Sequence, residues 1–189
     1  MPLITLRKDL YKMKRFPYLL HGITFIFLLF IDQITKHIVR LHLKAEPISV
    51  IKDIFSFHYL ENRGSVWGIL QGKVDILLVV SVILLAIMIY VYIKMPKRKE
   101  YFPLFWIIVF MVAGAVGNTI DRLVFGYVTD FLYFELIDFP IFNIADCYIT
   151  VCAFLTIILI LTKYKDDEFQ FLSLRRKEMT DAESKSDEI

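Results

Sequence analysis

Two aspartates in this chain stand where an acid is costly. Asp130 lies in VTDFL, between apolar neighbours and with no adjacent cation, and Asp146 lies in FNIADCYIT, at the head of an apolar run that lasts to Thr162. Burial without a compensating base raises a carboxyl pKa, and a second carboxyl nearby raises one of the two further. The 15 residues between them, FLYFELIDFPIFNIA, are enough for the chain to go out and return as a short hairpin, so the two acids can meet. Two carboxyls that share one proton can hydrolyse an amide. The ionised one takes a proton from attacking water and the neutral one donates to the carbonyl oxygen. Such a pair titrates as a unit, and no separate value belongs to either member.

Each neighbouring polar residue also has a plainer structural explanation. Asn143 is a competent helix N-cap, which places Asp146 at N3, where free backbone donors and the helix dipole favour an acid. The 16 residues from 147 to 162 make only about 24 Å of helix at about 1.5 Å per residue, so a spanning helix must begin near Asn143. In DQITK, Asp32 and Lys36 are i and i+4 on one helical face and can neutralise each other, which favours a structural ion pair that fixes the helix end. In GNTIDR, Asp121 and Arg122 point about 100 degrees apart around a helix, so each is set to contact a different partner. Arg122 can hold a carboxylate or carbonyl bidentately. The serines lack a base in a recognisable arrangement, and no glycine-rich phosphate loop occurs. His21, His37, His42 and His58 are scattered without metal-ligand spacing, and Cys147 and Cys152 read as small buried hydrophobes, so neither a metal nor a cofactor is expected.

The elements that position these groups follow from composition. Of 189 residues, 57% are hydrophobic, with 17 Phe and 10 Tyr, more than a soluble domain of this length needs for its core, so a bilayer is the expected solvent. Four windows are long and apolar enough to span: about 16–35, 74–93, 101–120 and 142–162. Short cytoplasmic loops collect Lys and Arg. Arg7, Lys8, Lys12, Lys14 and Arg15 precede the first span, and Lys94, Lys97, Arg98 and Lys99 separate the second from the third. These segments and the polar tail belong in the cytoplasm, with both termini, which leaves the first loop and the acidic connection after Ile120 outside. The first span is too long for a signal-peptide core and lacks a small-x-small cleavage site, so it reads as an uncleaved helix.

With this topology Asp32, Gln33, Lys36, Asn118, Asp121, Arg122, Asn143 and Asp146 gather at the outer ends of the helices, and ionisable groups clustered in a membrane mark a functional site. In the first loop, residues 53–60 alternate aromatic with other residues, as a strand with an aromatic face on lipid or on a partner. ENRGSVWGIL then supplies Asn62, a flexible Gly64 and the interfacial anchors Trp67 and Ile69. A small sheet half-covering the polar patch is expected. The fold class is therefore all-α membrane protein, with four transmembrane helices and a small extracytoplasmic β-cradle. Residues 1–163 form one peptidase-like domain and 164–189 a polar cytoplasmic tail, its last ten residues disordered. No internal repeat is evident, and a net charge of +2 gives no reason to expect nucleic acid.

DQITK, ENRGSVWG, GNTIDR, VTDF and FNIAD, in this order over four spans, resemble the five signature blocks of lipoprotein signal peptidase, also called signal peptidase II. The resemblance covers residues from about 16 to 163. It implies that Asp130 and Asp146 are catalytic, that Asn62, Asn118, Arg122 and Asn143 line the site and hold substrate backbone, and that Asp32, Lys36, Gly64 and Asp121 are architectural. It also implies a monomer in the bacterial cytoplasmic membrane, with membrane lipids around it and the site near the outer face. The substrate would be the signal peptide of a diacylglyceryl-modified prolipoprotein, cut before its lipidated cysteine. Cys147 stands where Ser often follows the last block, and Ser65, Val66 and Trp67 fill positions that are often Ala-Ala-Phe. The competing class is a small proton-coupled transporter, whose buried carboxylates would relay protons. Its ionisable residues should lie near the midplane on broken helices in repeated halves, unlike the one-faced cluster here.

Overall fold

The computed structural model describes residues 17–64, 69–164 and 169. The N-terminal basic residues, Ser65, Val66, Trp67 and nearly all of the polar tail lie outside these described residues.

Among the described residues, four helices are long and apolar enough to cross a membrane: α1 (Tyr18–His42), α2 (Val74–Lys94), α3 (Phe102–Phe125) and α4 (Ile144–Thr162). Their outward faces are apolar, with Leu19 and Leu161 each 79% exposed, as lipid rather than water would permit. α3 is the hub and packs against α1, α2 and α4. α2 is apolar all round and buries Leu77 alone, which suits a peripheral span. At the end away from the polar patch, Met95, Tyr101, Leu104, Phe105, Ile107, Cys152 and Tyr164 form an apolar cluster. Tyr164 stacks on Tyr101 with ring centroids 5.8 Å apart and donates to the Glu100 carbonyl at 2.6 Å, so the packed unit extends past Lys163.

Two helices run further than hydropathy alone predicts, because their polar ends are satisfied by each other. α1 continues past residue 35 to His42, and Lys36 and Arg40 find acceptors on α3 and the strand beyond it. α3 continues past Ile120 to Phe125, carrying Asp121 and Arg122 on its last turns. Gly126 ends it in the left-handed region at φ 74°, where a side chain would be strained, and its N–H caps the Arg122 carbonyl.

A three-stranded antiparallel sheet sits at this end, in the order β1 (Ile48–Ile51), β2 (Phe55–Asn62), β3 (Val128–Phe134). The strand expected over 53–60 is β2. Its Phe57 and Tyr59 pack on Val39, Leu43 and Phe131, so the partner of this aromatic face is the chain itself. The third strand is VTDFLYF, within the acidic connection after Ile120. A register shift between Phe57 and Leu60 resets the alternation, so that Leu60 pairs with Asp130 and Asn62 with Val128. After β3 a 3-10 turn (Glu135–Ile137) reverses the chain, and Phe142 pairs back onto Leu132, with reciprocal N–H···O bonds of 2.8 and 3.1 Å. The hairpin foreseen between the two aspartates is thus formed, and α4 begins beside Asp130.

Candidate active site

Asn143 organises the centre. It caps α4 from an extended backbone, its Oδ1 accepting from the Asp146 N–H at 3.1 Å while Asp146 Oδ2 accepts from its own N–H at 3.1 Å. This capping box satisfies two of the helix's free donors. The plain structural role is therefore real, and the same side chain does more. Its Nδ2 donates to Asp130 Oδ1 at 2.6 Å and to Asn118 Oδ1 at 3.2 Å. A cap on α4 thereby ties the strand acid to the helix acid.

Two further asparagines complete the arrangement. Asn62 Nδ2 donates to Asp130 Oδ2 at 2.8 Å, and Asn118 Nδ2 donates to Asp146 Oδ1 at 2.7 Å. Each of the four carboxyl oxygens of Asp130 and Asp146 thus receives one N–H, from three asparagine side chains and one backbone amide. Asp130 is 1% exposed, and its desolvation, with the Asp146 charge next in size, pushes its carboxyl up to about 7 against the pull of the two amide donors.

The carboxyls open into a cavity of about 640 Å³, whose lining also includes Asn62, Asn118, Arg122 and Gln71. One wall is the apolar Phe139, Pro140, Ile141 and Phe142 segment, which carries no signal in the sequence beyond its hydrophobicity. Arg122 faces this space and, among the described residues, its side chain makes no hydrogen bond or ion pair. Asp121, one residue back, points the other way as the helical rotation requires. It accepts from the Thr129 N–H at 2.9 Å and lies 3.6 Å from both Arg40 and Lys36, pinning the start of β3 to α3. Gly64 holds position by close packing rather than by flexibility. A Cβ there would lie 2.6 Å from Gln71 Oε1 and 3.1 Å from the Ile69 carbonyl, and its N–H donates to Asn62 Oδ1 at 2.9 Å. Cys152 is buried as expected, whereas Cys147 is half-buried and lines the cavity beside Asp146, which corrects its reading as a core residue.

Asp32 supports the site from behind. Its Oδ2 pairs with Lys36 Nζ at 2.9 Å, both side chains being fully buried, and its Oδ1 accepts from the Ala145 N–H at 3.1 Å, another free donor of the first turn of α4. Asp32→Asn leaves the Lys36 charge without its nearest counter-ion. It is expected to lower the melting temperature by about 10 °C, the scale of a broken buried pair in a chain of this size, while turnover falls less than about fivefold. An unchanged melting curve with lost activity would show that Asp32 takes part in the reaction instead.

A family model for signal peptidase (SPase) II matches residues 24–162. A lipoprotein signal peptidase of Caldanaerobacter subterraneus subsp. tengcongensis is 40% identical over 131 residues, 67% of this chain and 86% of the relative. One from Clostridium novyi is 37% identical over 144 residues, 74% of this chain and 96% of the relative. Two solved structures, each described as a bacterial membrane enzyme determined by the in meso method, superpose closely. One has a TM-score of 0.70 at 30% identity and covers 82% of this chain and 96% of its own. The other has a TM-score of 0.65 at 32% identity and covers 76% and 94%.

Proposed function

The chain belongs to the signal peptidase II family of aspartic peptidases, which remove signal peptides from prolipoproteins, and we propose that it does so with Asp130 and Asp146 as the pair that activates water. It is a multi-pass membrane protease, and this family membership displaces the transporter alternative. The observation that carries the proposal is the amide net: four N–H donors hold two carboxyls from different elements at the wall of one cavity.

In the proposed reaction the pair begins with one proton. The ionised carboxyl takes a proton from water as the water oxygen bonds to the scissile carbonyl carbon, and the protonated carboxyl gives its proton to the carbonyl oxygen. The tetrahedral adduct collapses when a proton passes to the departing nitrogen and the C–N bond breaks. This leaves a new carboxyl on the signal peptide and a free amine on the cysteine of the mature lipoprotein. The amide donors fix both carboxyls without supplying charge. Arg122, uncommitted at the cavity wall, is the group proposed to hold substrate carbonyls together with Asn62, Asn118 and Asn143. The apolar wall from Phe139 to Phe142 suits the diacylglyceryl-bearing side. A lipid anchor holds the scissile bond at the interface, so water and carboxyls are brought to that depth.

The proposed orientation puts the basic connection containing Lys94, Lys97 and Arg98 on the cytoplasmic side of a bacterial cytoplasmic membrane, and the site near the outer face. The protein is proposed to act as a monomer among membrane lipids. Residues 1–163 are proposed as its peptidase domain, with a cytoplasmic tail after them.

The test is cleavage of a diacylglyceryl-modified prolipoprotein by the purified protein, read by mass as a signal peptide ending one residue before the lipidated cysteine. The pH profile adds a second expectation. The working pair needs one proton, and burial with the Asp146 charge beside Asp130 holds that shared proton up to about 7, so kcat/KM is expected to fall on the alkaline side of about pH 7. A profile flat from pH 6 to about 9 would contradict the shared proton.

A further inference from the structure

Resting on the reading of Asp130 and Asp146 as the water-activating pair, we infer that Lys36 is a positioning residue of the reaction: its ammonium holds Asn118 Oδ1 and keeps the Asn118 amide turned with its N–H toward Asp146. An asparagine amide is nearly symmetric in shape but opposite in hydrogen-bonding sense at its two ends, so something must fix which end faces the carboxyl. Asn62 is fixed by the Gly64 N–H on its Oδ1, and Asn143 by the Asp146 N–H on its own. Both are backbone donors that cannot turn into acceptors. Asn118 sits inside α3, where the backbone N–H groups are spent on the helix ladder, so a side chain must serve.

Lys36 Nζ is that donor, 2.8 Å from Asn118 Oδ1 and reaching across 82 positions of sequence. An ammonium has three donors and no acceptor, so a flipped amide would set N–H against N–H at Lys36 and oxygen against oxygen at Asp146. The Asn143 amide also donates to Asn118 Oδ1, at a longer 3.2 Å, while it serves Asp130. The ion pair with Asp32 does not by itself explain the placement. An i, i+4 pair can form on any helix surface, whereas Lys36 is fully buried with Asn118, Asp32 and Asp121 around it. The chain Lys36, Asn118, Asp146 thus carries a fixed charge to the pair without touching substrate.

Among the described residues, the charged and titratable groups that face the pair are Asp32 and Lys36 from α1, Asp121 and Arg122 from α3, Cys147 from α4 and Glu61 from β2. Removing Lys36 takes away one of two cations in this set. A carboxyl loses an attractive charge, its ionisation becomes harder, and the lower titration of the pair moves up.

The test compares the full-length parent with Lys36→Met, Asp32→Asn, the double variant Asp32→Asn/Lys36→Met and, in parallel, Asp130→Asn. The double variant removes one buried cation and one buried anion together, so it avoids the uncompensated charge that could unfold Lys36→Met alone. Expected for both Lys36 variants is a kcat about 30-fold lower, the size of one lost charge-assisted hydrogen bond, with KM within about twofold. The acid limb of kcat/KM should move up by about one pH unit. Asp32→Asn, which removes an anion rather than a cation, should not move the acid limb up. A double variant with the kcat and profile of Asp32→Asn overturns the inference, as does failure of both Lys36 variants to fold, since Lys36 would then be purely architectural. Retained cleavage by Asp130→Asn would instead overturn the underlying pair, and the two failures are separately visible.

Discussion

Replacing Asp130 or Asp146 by asparagine is expected to lower turnover at least about 10³-fold, with the protein still folded and embedded in detergent or lipid. Asparagine keeps the size of each side chain and can take neither the proton from water nor give one to the carbonyl oxygen. Because the two carboxyls act on one proton, the double variant should be no worse than either single one, which is the signature of groups that work as a unit. Stability supplies an independent sign. Burial and the neighbouring Asp146 charge raise the Asp130 carboxyl in the folded protein, so the stability tied to the proton the pair shares is fully present below the unfolded carboxyl value and is lost as pH rises through about 7. Asp130→Asn should remove that part of the pH dependence of melting. Near-normal cleavage in either single variant would end the assignment.

Asn143→Ser should separate the two duties of the residue that joins the pair. Serine is as good an N-cap as asparagine, so α4 keeps its start and the melting temperature should fall by only a few degrees. The hydroxyl is too short to reach Asp130 Oδ1, which now accepts from Asn143 Nδ2 at 2.6 Å. Turnover is expected to drop about 10²-fold, comparable to the loss of one preorganised donor from a reaction centre. Were Asn143 only a cap, serine would leave both melting and turnover close to those of the parent. A melting temperature that collapses along with activity would mean that the cap geometry needs the amide itself.

How legible these features were follows from the reach of each signal. The cap at Asn143, the capping box with Asp146 and the opposite aims of Asp121 and Arg122 are local consequences of helical geometry, and residue spacing suffices to see them. The approach of Asp130 to Asp146 was legible because the connection between them is short enough to turn back once. The third strand was less so. VTDFLYF carries an acid as its third residue, and pairing with β2 holds it extended. Lys36 illustrates the larger gap: its i+4 partner Asp32 is visible in sequence, whereas Asn118 is brought to it by helix packing across 82 positions. Cys147 differs from the expected core residue for a related reason. In a helix with lipid on one side and a cavity on the other, an apolar run does not say which of its residues line the cavity. The wall from Phe139 to Phe142 is set by where the hairpin returns, which composition does not encode.

The central claim is that Asp130 and Asp146 together address one scissile carbonyl. A structure of the protein bound to a lipid-modified peptide, with a hydroxyl in place of that carbonyl, tests it most directly. The hydroxyl should lie within hydrogen-bond reach, about 2.6 to 3.2 Å, of one oxygen from each carboxyl, with the asparagine amides still on the remaining oxygens. A hydroxyl held by one aspartate alone, or bound elsewhere in the cavity with neither carboxyl in reach, would contradict the account.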